Sequence, residues 1–107
     1  MSVVRVLKPK GNLDSINANN LRREILDLVD RGVKIIIIDL DSVVFMNSSG
    51  MGALVATLKA VKAKGGELAL CSLTEQVKII FELSRMDRIF KIYSDRQEFE
   101  AKHKIEV

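Results

Sequence analysis

The hydrophobic positions along this chain change period several times, and each change marks an element. Residues 3–7 are β-rich and stop before Pro9 and Gly11, which predicts a strand ending in a turn. Residues 11–17, Gly-Asn-Leu-Asp-Ser-Ile-Asn, read as a loop rich in capping side chains, with Ser15 or Asn17 as the expected cap of the following helix. In that helix Leu21, Ile25 and Leu28 share one face, and Gly32 suits the position just past its end. Residues 33–40 read VKIIIIDL. Four consecutive isoleucines predict a strand covered on both faces, at the centre of a sheet. After a short connection comes a small-polar segment, then a helix over residues 49–64. Its apolar stripe is Met51, Leu54, Val55, Leu58 and Val61. Lys59, Lys62 and Lys64 gather near its carboxyl end, where the helix dipole favours cations, and Gly65-Gly66 stops it.

The second half repeats the alternation in shorter pieces. Residues 67–71 predict a strand. Ser72-Leu73-Thr74-Glu75 has the spacing of a capping box and opens a helix with Val77, Ile80, Phe81 and Ser84 on one face. Residues 90–93 predict a last strand, and Ser94 to Gln97 a second box-like cap for a helix reaching residue 102. Residues 104–107 have no clear pattern. The order is strand, helix, four times over. It predicts an α/β fold in a single domain over residues 1–107, with a mostly parallel or mixed sheet of about four strands and about four helices joined by right-handed crossovers. Sites in such sheets lie at the carboxyl ends of strands, where residues 11–17 and 47–52 would face each other.

Composition narrows the functional classes. The net charge is +3, from 17 Lys and Arg against 14 Asp and Glu, with four Phe, one Tyr and no Trp. The basic residues are scattered and lack interleaved aromatics, which argues against a nucleic-acid surface. No segment approaches the roughly 20 apolar residues that span a bilayer. The first residues lack the basic, apolar and small-residue succession of a secretion signal, so a cytoplasmic protein with no membrane contact is expected. One cysteine, Cys71, and one histidine, His103, offer no metal site, and no cofactor is expected. Cys71 reads as a small buried hydrophobe at a strand end.

The chemistry concentrates in Phe45-Met46-Asn47-Ser48-Ser49-Gly50-Met51-Gly52. Serine hydroxyls at the amino end of a helix either cap it or sit where a phosphate is favoured. Gly50 and Gly52 weaken a first helical turn, which points to a close approach to the backbone by a partner or a phosphate. Met46 and Met51 are candidates for adaptable apolar contact, with core packing as the alternative. A hydrolase elbow needs Gly-x-Ser-x-Gly, which neither serine has, and His103 lies in a polar stretch. A phosphate-binding Gly-x-x-x-x-Gly-Lys-Ser/Thr run is also absent from the sequence, so no enzyme activity is expected.

At these residues the chain resembles the STAS domain family, in particular the bacterial anti-sigma factor antagonists. The resemblance rests on Asn47-Ser48-Ser49-Gly50, on Gly11-Asn12-Leu13-Asp14, on Gly65-Gly66-Glu67-Leu68 and on the run from Phe81 to Tyr93. It implies transcription regulation by partner switching. The unphosphorylated protein would bind an anti-sigma factor that is also a serine kinase and free the sigma factor; phosphorylation of Ser49 would block binding, and a phosphoserine phosphatase would reverse it. Asp14, Asn47, Ser48, Gly50 and Met51 would form the partner surface. Asn47 stands where the family carries an acidic residue, and the alternative it suggests is a STAS module that binds a partner or small ligand without phosphorylation. The family also has a strand before residues 3–7. Here that edge would be open to a second copy, giving a homodimer, or to the tail around Ile105.

Overall fold

The isoleucine run forms the middle of the sheet, as its two-sided apolar character requires. A computed structural model describes residues 4–103. In it β3 (Ile35–Asp39) lies between β1 (Val4–Leu7) and β5 (Glu67–Cys71), and β6 (Lys91–Tyr93) follows β5, all parallel. Alternate side chains of β3 feed two cores. Ile36 and Ile38 pack in the larger one with Leu21 and Ile25 of α1 (Ser15–Asp30), Leu54 and Leu58 of α2 (Ser48–Ala63), and Val77 and Phe81 of α3 (Glu75–Leu83). Ile37 points the other way, into a smaller cluster with Ala69, Cys71 and Phe99 of α4 (Arg96–His103). Phe99 meets Tyr93 edge to face at 5.3 Å. Three helices therefore cover one face and one covers the other.

The four-stranded parallel sheet and four helices agree with the sequence pattern. Two further strands do not appear in it. β2 (Gly11–Leu13) and β4 (Val43–Met46) pair in parallel with each other, apart from the main sheet. They occupy stretches that read as a loop and a short connection. The Gly11 amide donates to the Ser42 carbonyl at 2.9 Å, and Gly11 takes a left-handed φ of 75° that glycine adopts freely.

The helix starts also differ in detail. Asp14, not Ser15 or Asn17, caps α1 and accepts from the Asn17 amide at 2.9 Å. Thr74, not Ser72, caps α3. Ser72 lies at φ 58°, in the left-handed region, whereas an N-cap needs extended backbone. Asp95, rather than Ser94, accepts from the Glu98 amide at 2.8 Å, and the Glu98 carboxylate accepts from the Ser94 amide at 2.9 Å in return. Helix ends follow expectation more closely: Gly32 and Gly65 have φ of 103° and 80° just past the C-caps Arg31 and Lys64. Lys64 forms an ion pair with Asp30, joining the carboxyl ends of α2 and α1.

β1 is an edge strand of the sheet among the described residues. The tail around Ile105 lies outside those residues. No helix among them is long and apolar enough to cross a membrane.

Cys71 is fully buried at the end of β5, and burial pushes its thiol above the ordinary value. A raised thiol pKa leaves less thiolate at pH 8, so the folded protein should react with Ellman's reagent at least about tenfold more slowly than the protein in urea. Equal rates in the two conditions would contradict a buried, structural Cys71.

Candidate functional site

The parallel pair β2–β4 sets the site. Leu13 lies opposite Met46, so the next residues, Asp14 and Asn47, leave the pair side by side. Both have extended backbones, and each caps the helix it precedes. The Asn47 side-chain oxygen accepts from the Gly50 amide at 2.7 Å. Helices α1 and α2 thus begin shoulder to shoulder, and the Lys64–Asp30 ion pair shows that they also end together. Two parallel helices present two dipole-positive ends at one place. Neither first turn contains an acidic residue.

Gly50 is what lets these elements close up. A Cβ built on it would lie 1.9 Å from the Leu13 carbonyl oxygen, a distance no real side chain tolerates. The close approach expected from the glycines is real at Gly50, but the approaching group is the chain's own β2, not a partner or a phosphate. Gly52 is exposed with open space around it.

Because Asn47 does the capping, Ser48 and Ser49 do not. Both are exposed in the first turn of α2, and no hydrogen bond engages either hydroxyl among the described residues. Asp14 is half-buried beside them, its carboxylate bonded to the Asn17 amide. The structure brings Asp14 and the segment Asn47 to Gly50 together at the two helix starts. The methionines are different. Met46 is 1% exposed and Met51 7%, both within the core, so core packing, not exposed surface contact, describes them. Met46 ends β4 on the strand's inner face, and Met51 falls on the buried stripe of α2.

The apolar surface near the site belongs instead to Phe45, 49% exposed, and to Val44 and Ile16. Phe45 was legible in principle: a large apolar residue beside Met46 in a strand must point the opposite way. Seeing it required recognising β4 as a strand. Among the described residues no group of three or more His, Cys, Asp and Glu side chains could hold a metal ion.

Residues 2–99 match the STAS domain family. The chain belongs to the STAS domain family. The Bacillus subtilis anti-sigma-B factor antagonist is 34% identical over 82 residues, covering 77% of this STAS chain and 74% of that protein. A crystal structure from Thermotoga maritima superposes with a TM-score of 0.84 at 30% identity, over 95% of this chain and 88% of the other. SpoIIAA in its unphosphorylated form shares the fold, with a TM-score of 0.78 at 20% identity over 100% and 94% of the two chains.

Within this STAS fold the cap and the glycine should have separable energetic signatures. Asn47→Ala removes the acceptor for the Gly50 amide and should cost about 1 kcal/mol in urea denaturation, while Asn47→Asp should stay within about 0.5 kcal/mol of the original protein. Gly50→Ala must push β2 away from α2 and should cost about 1–3 kcal/mol, more than a glycine-to-alanine change would otherwise gain in a helix. A stabilised Gly50→Ala protein would show that β2 does not lie against α2.

Proposed function

We propose that this protein is an anti-sigma factor antagonist whose binding is switched by phosphorylation of Ser49. The observation that carries the reading is the state of the Ser49 hydroxyl. It is exposed, released from capping by Asn47, and set beside two aligned helix amino ends that contain no acidic residue in their first turns. The name of the Bacillus subtilis relative supports the antagonist role.

A phosphoserine carries about −1.5 to −2 charge at neutral pH, and a helix amino end accommodates that charge. The fold therefore survives modification while the surface around Asp14, Ser48 and Phe45 changes sign and bulk. In the unphosphorylated state this surface binds an anti-sigma factor with serine kinase activity and releases the sigma factor. In the phosphorylated state a partner fitted to the bare hydroxyl meets a dianion, and binding fails. A phosphoserine phosphatase resets the switch. The protein itself performs no catalytic step, needs no cofactor, and acts in the cytoplasm as one module. A second copy pairs along β1, an edge strand among the described residues, to form a homodimer.

The Asn47 side chain supports phosphorylation rather than the alternative of phosphorylation-independent binding. Asparagine and aspartate are equivalent N-caps, so the replacement preserves the geometry that exposes Ser49. Incubation with the serine kinase anti-sigma factors of the same organism and Mg-ATP, followed by mass spectrometry, should find phosphate on Ser49 in the original protein and in Ser48→Ala, and none in Ser49→Ala. Ser49→Glu should bind the kinase at least about tenfold more weakly, with a melting temperature within about 2 °C. Phosphate retained in Ser49→Ala would refute the assignment.

A further inference from the structure

Helix α3 ends in a conformation that its own stability does not explain. Past the C-cap Ser84, Arg85 sits at φ 60°, ψ 20°, in the left-handed region. Glycine takes that conformation freely at helix ends, whereas any residue with a Cβ is strained there. The Arg85 side chain recovers nothing within the fold. It is exposed and forms no ion pair or side-chain hydrogen bond among the described residues. Strain held without an internal return is a pointer to an external contact.

Arg85 directly follows Ser84, which lines a groove. A space of about 450 Å³ separates the β4–α2 junction from α3, with Phe45, Asn47, Ser48 and Met51 on one wall and Ile80 and Ser84 on the other. The walls are fixed relative to each other, since the Thr74 hydroxyl at the start of α3 donates to the Val43 carbonyl of β4 at 3.0 Å. Apolar surface continues outward from the groove along α3. Ile79 is 53% exposed and Leu83 82%, one helical turn apart and flanking Ile80. Charge divides across this helix. Glu75, Glu82 and Asp87 line the cleft on its other side together with Lys78, whereas no residue lining the groove is charged. The amino end of α2 on one wall, and exposed Arg85 next to Ser84 on the other, favour an acidic group at this groove.

We propose that this groove receives the anti-sigma factor through a segment that carries a large apolar anchor and a carboxylate. The anchor fills the space between Phe45 and Ile80, and the carboxylate pairs with Arg85. The proposal rests on the function proposed above and adds the chemistry of the partner's docking segment. At this left-handed position, which favours glycine, the arginine supplies a planar fork that can hold a carboxylate with two hydrogen bonds. It also explains why a phosphate on Ser49 would disrupt docking. Ser48 lines the groove, so a dianion on Ser49 beside it would repel an acidic docking segment.

The test compares stability with affinity. Arg85→Gly should raise the melting temperature by about 4 °C, by relieving the left-handed strain, and yet weaken binding of the unphosphorylated protein to the kinase tenfold or more. Leu83→Ser should weaken binding similarly without a change in melting temperature. Arg85→Lys should be intermediate, and Lys78→Ala, on the opposite side of α3, should bind as the original protein does. The salt dependence of binding should shrink in Arg85→Gly. If the kinase phosphorylates Ser49 but Arg85→Gly and Leu83→Ser bind unchanged, the groove proposal fails and the phosphorylation switch stands. A melting temperature that falls in Arg85→Gly overturns the strain premise without any partner. If no serine kinase anti-sigma factor binds or modifies the original protein, both proposals fail.

Discussion

A backbone carbonyl resting on a glycine organises this molecule. The Leu13 oxygen lies where any side chain at position 50 would have to be. That contact lets β2 run beside β4 and close against the first turn of α2, which in turn brings the caps Asp14 and Asn47 together. The far ends of the two helices are joined by an exposed ion pair, a type of contact worth roughly 0–1 kcal/mol. The alignment is therefore set at the amino ends, by a steric requirement that tolerates one residue type.

The same alignment creates an electrostatic imbalance. Parallel neighbouring helices bring like ends of their dipoles together, and the protein treats the two ends differently. At the carboxyl end of α2 it places Lys62 in the last turn and Lys64 at the cap. At the amino ends it places no acidic side chain in either first turn, and the nearest carboxylate, Asp14, is committed to the Asn17 amide. A phosphate on Ser49 would supply the charge that the sequence withholds. The modification is then compatible with the fold for the same reason that it changes the surface.

Much of the fold was legible because apolar periodicity is a long-range signal. The isoleucine run, the stripe of α2 and the burial of Cys71 all follow from patterns spanning several residues. β2 and β4 were not legible: one has three residues, and the other buries only its first and last. Neither is long enough to show alternation. Helix starts were placed within a residue or two, but the capping side chain was missed each time. Ser, Thr, Asp and Asn cluster before every helix here, and the sequence does not reveal which of them has extended backbone; Ser72, at φ 58°, shows how local geometry decides. The candidate site fared similarly. The two loops that meet at the helix starts were legible from the strand and helix order, whereas the close approach at Gly50 turned out to come from β2 and the exposed Phe45 needed β4 to be visible.

The pair β2–β4 shares no hydrogen-bonded ladder with β1, β3, β5 and β6. The two pairings are nonetheless joined by one core, since Leu13, Val43 and Met46 of the small pair are buried with Ile36 and Ile38 of the main sheet. The residues of the small pair that face outward, Asn12, Val44 and Phe45, belong to neither core and can be exchanged without repacking either. If these outward positions carry the proposed docking, the partner can change while the core packing stays the same. The limit on such exchange is the glycine whose missing side chain keeps the small pair in place.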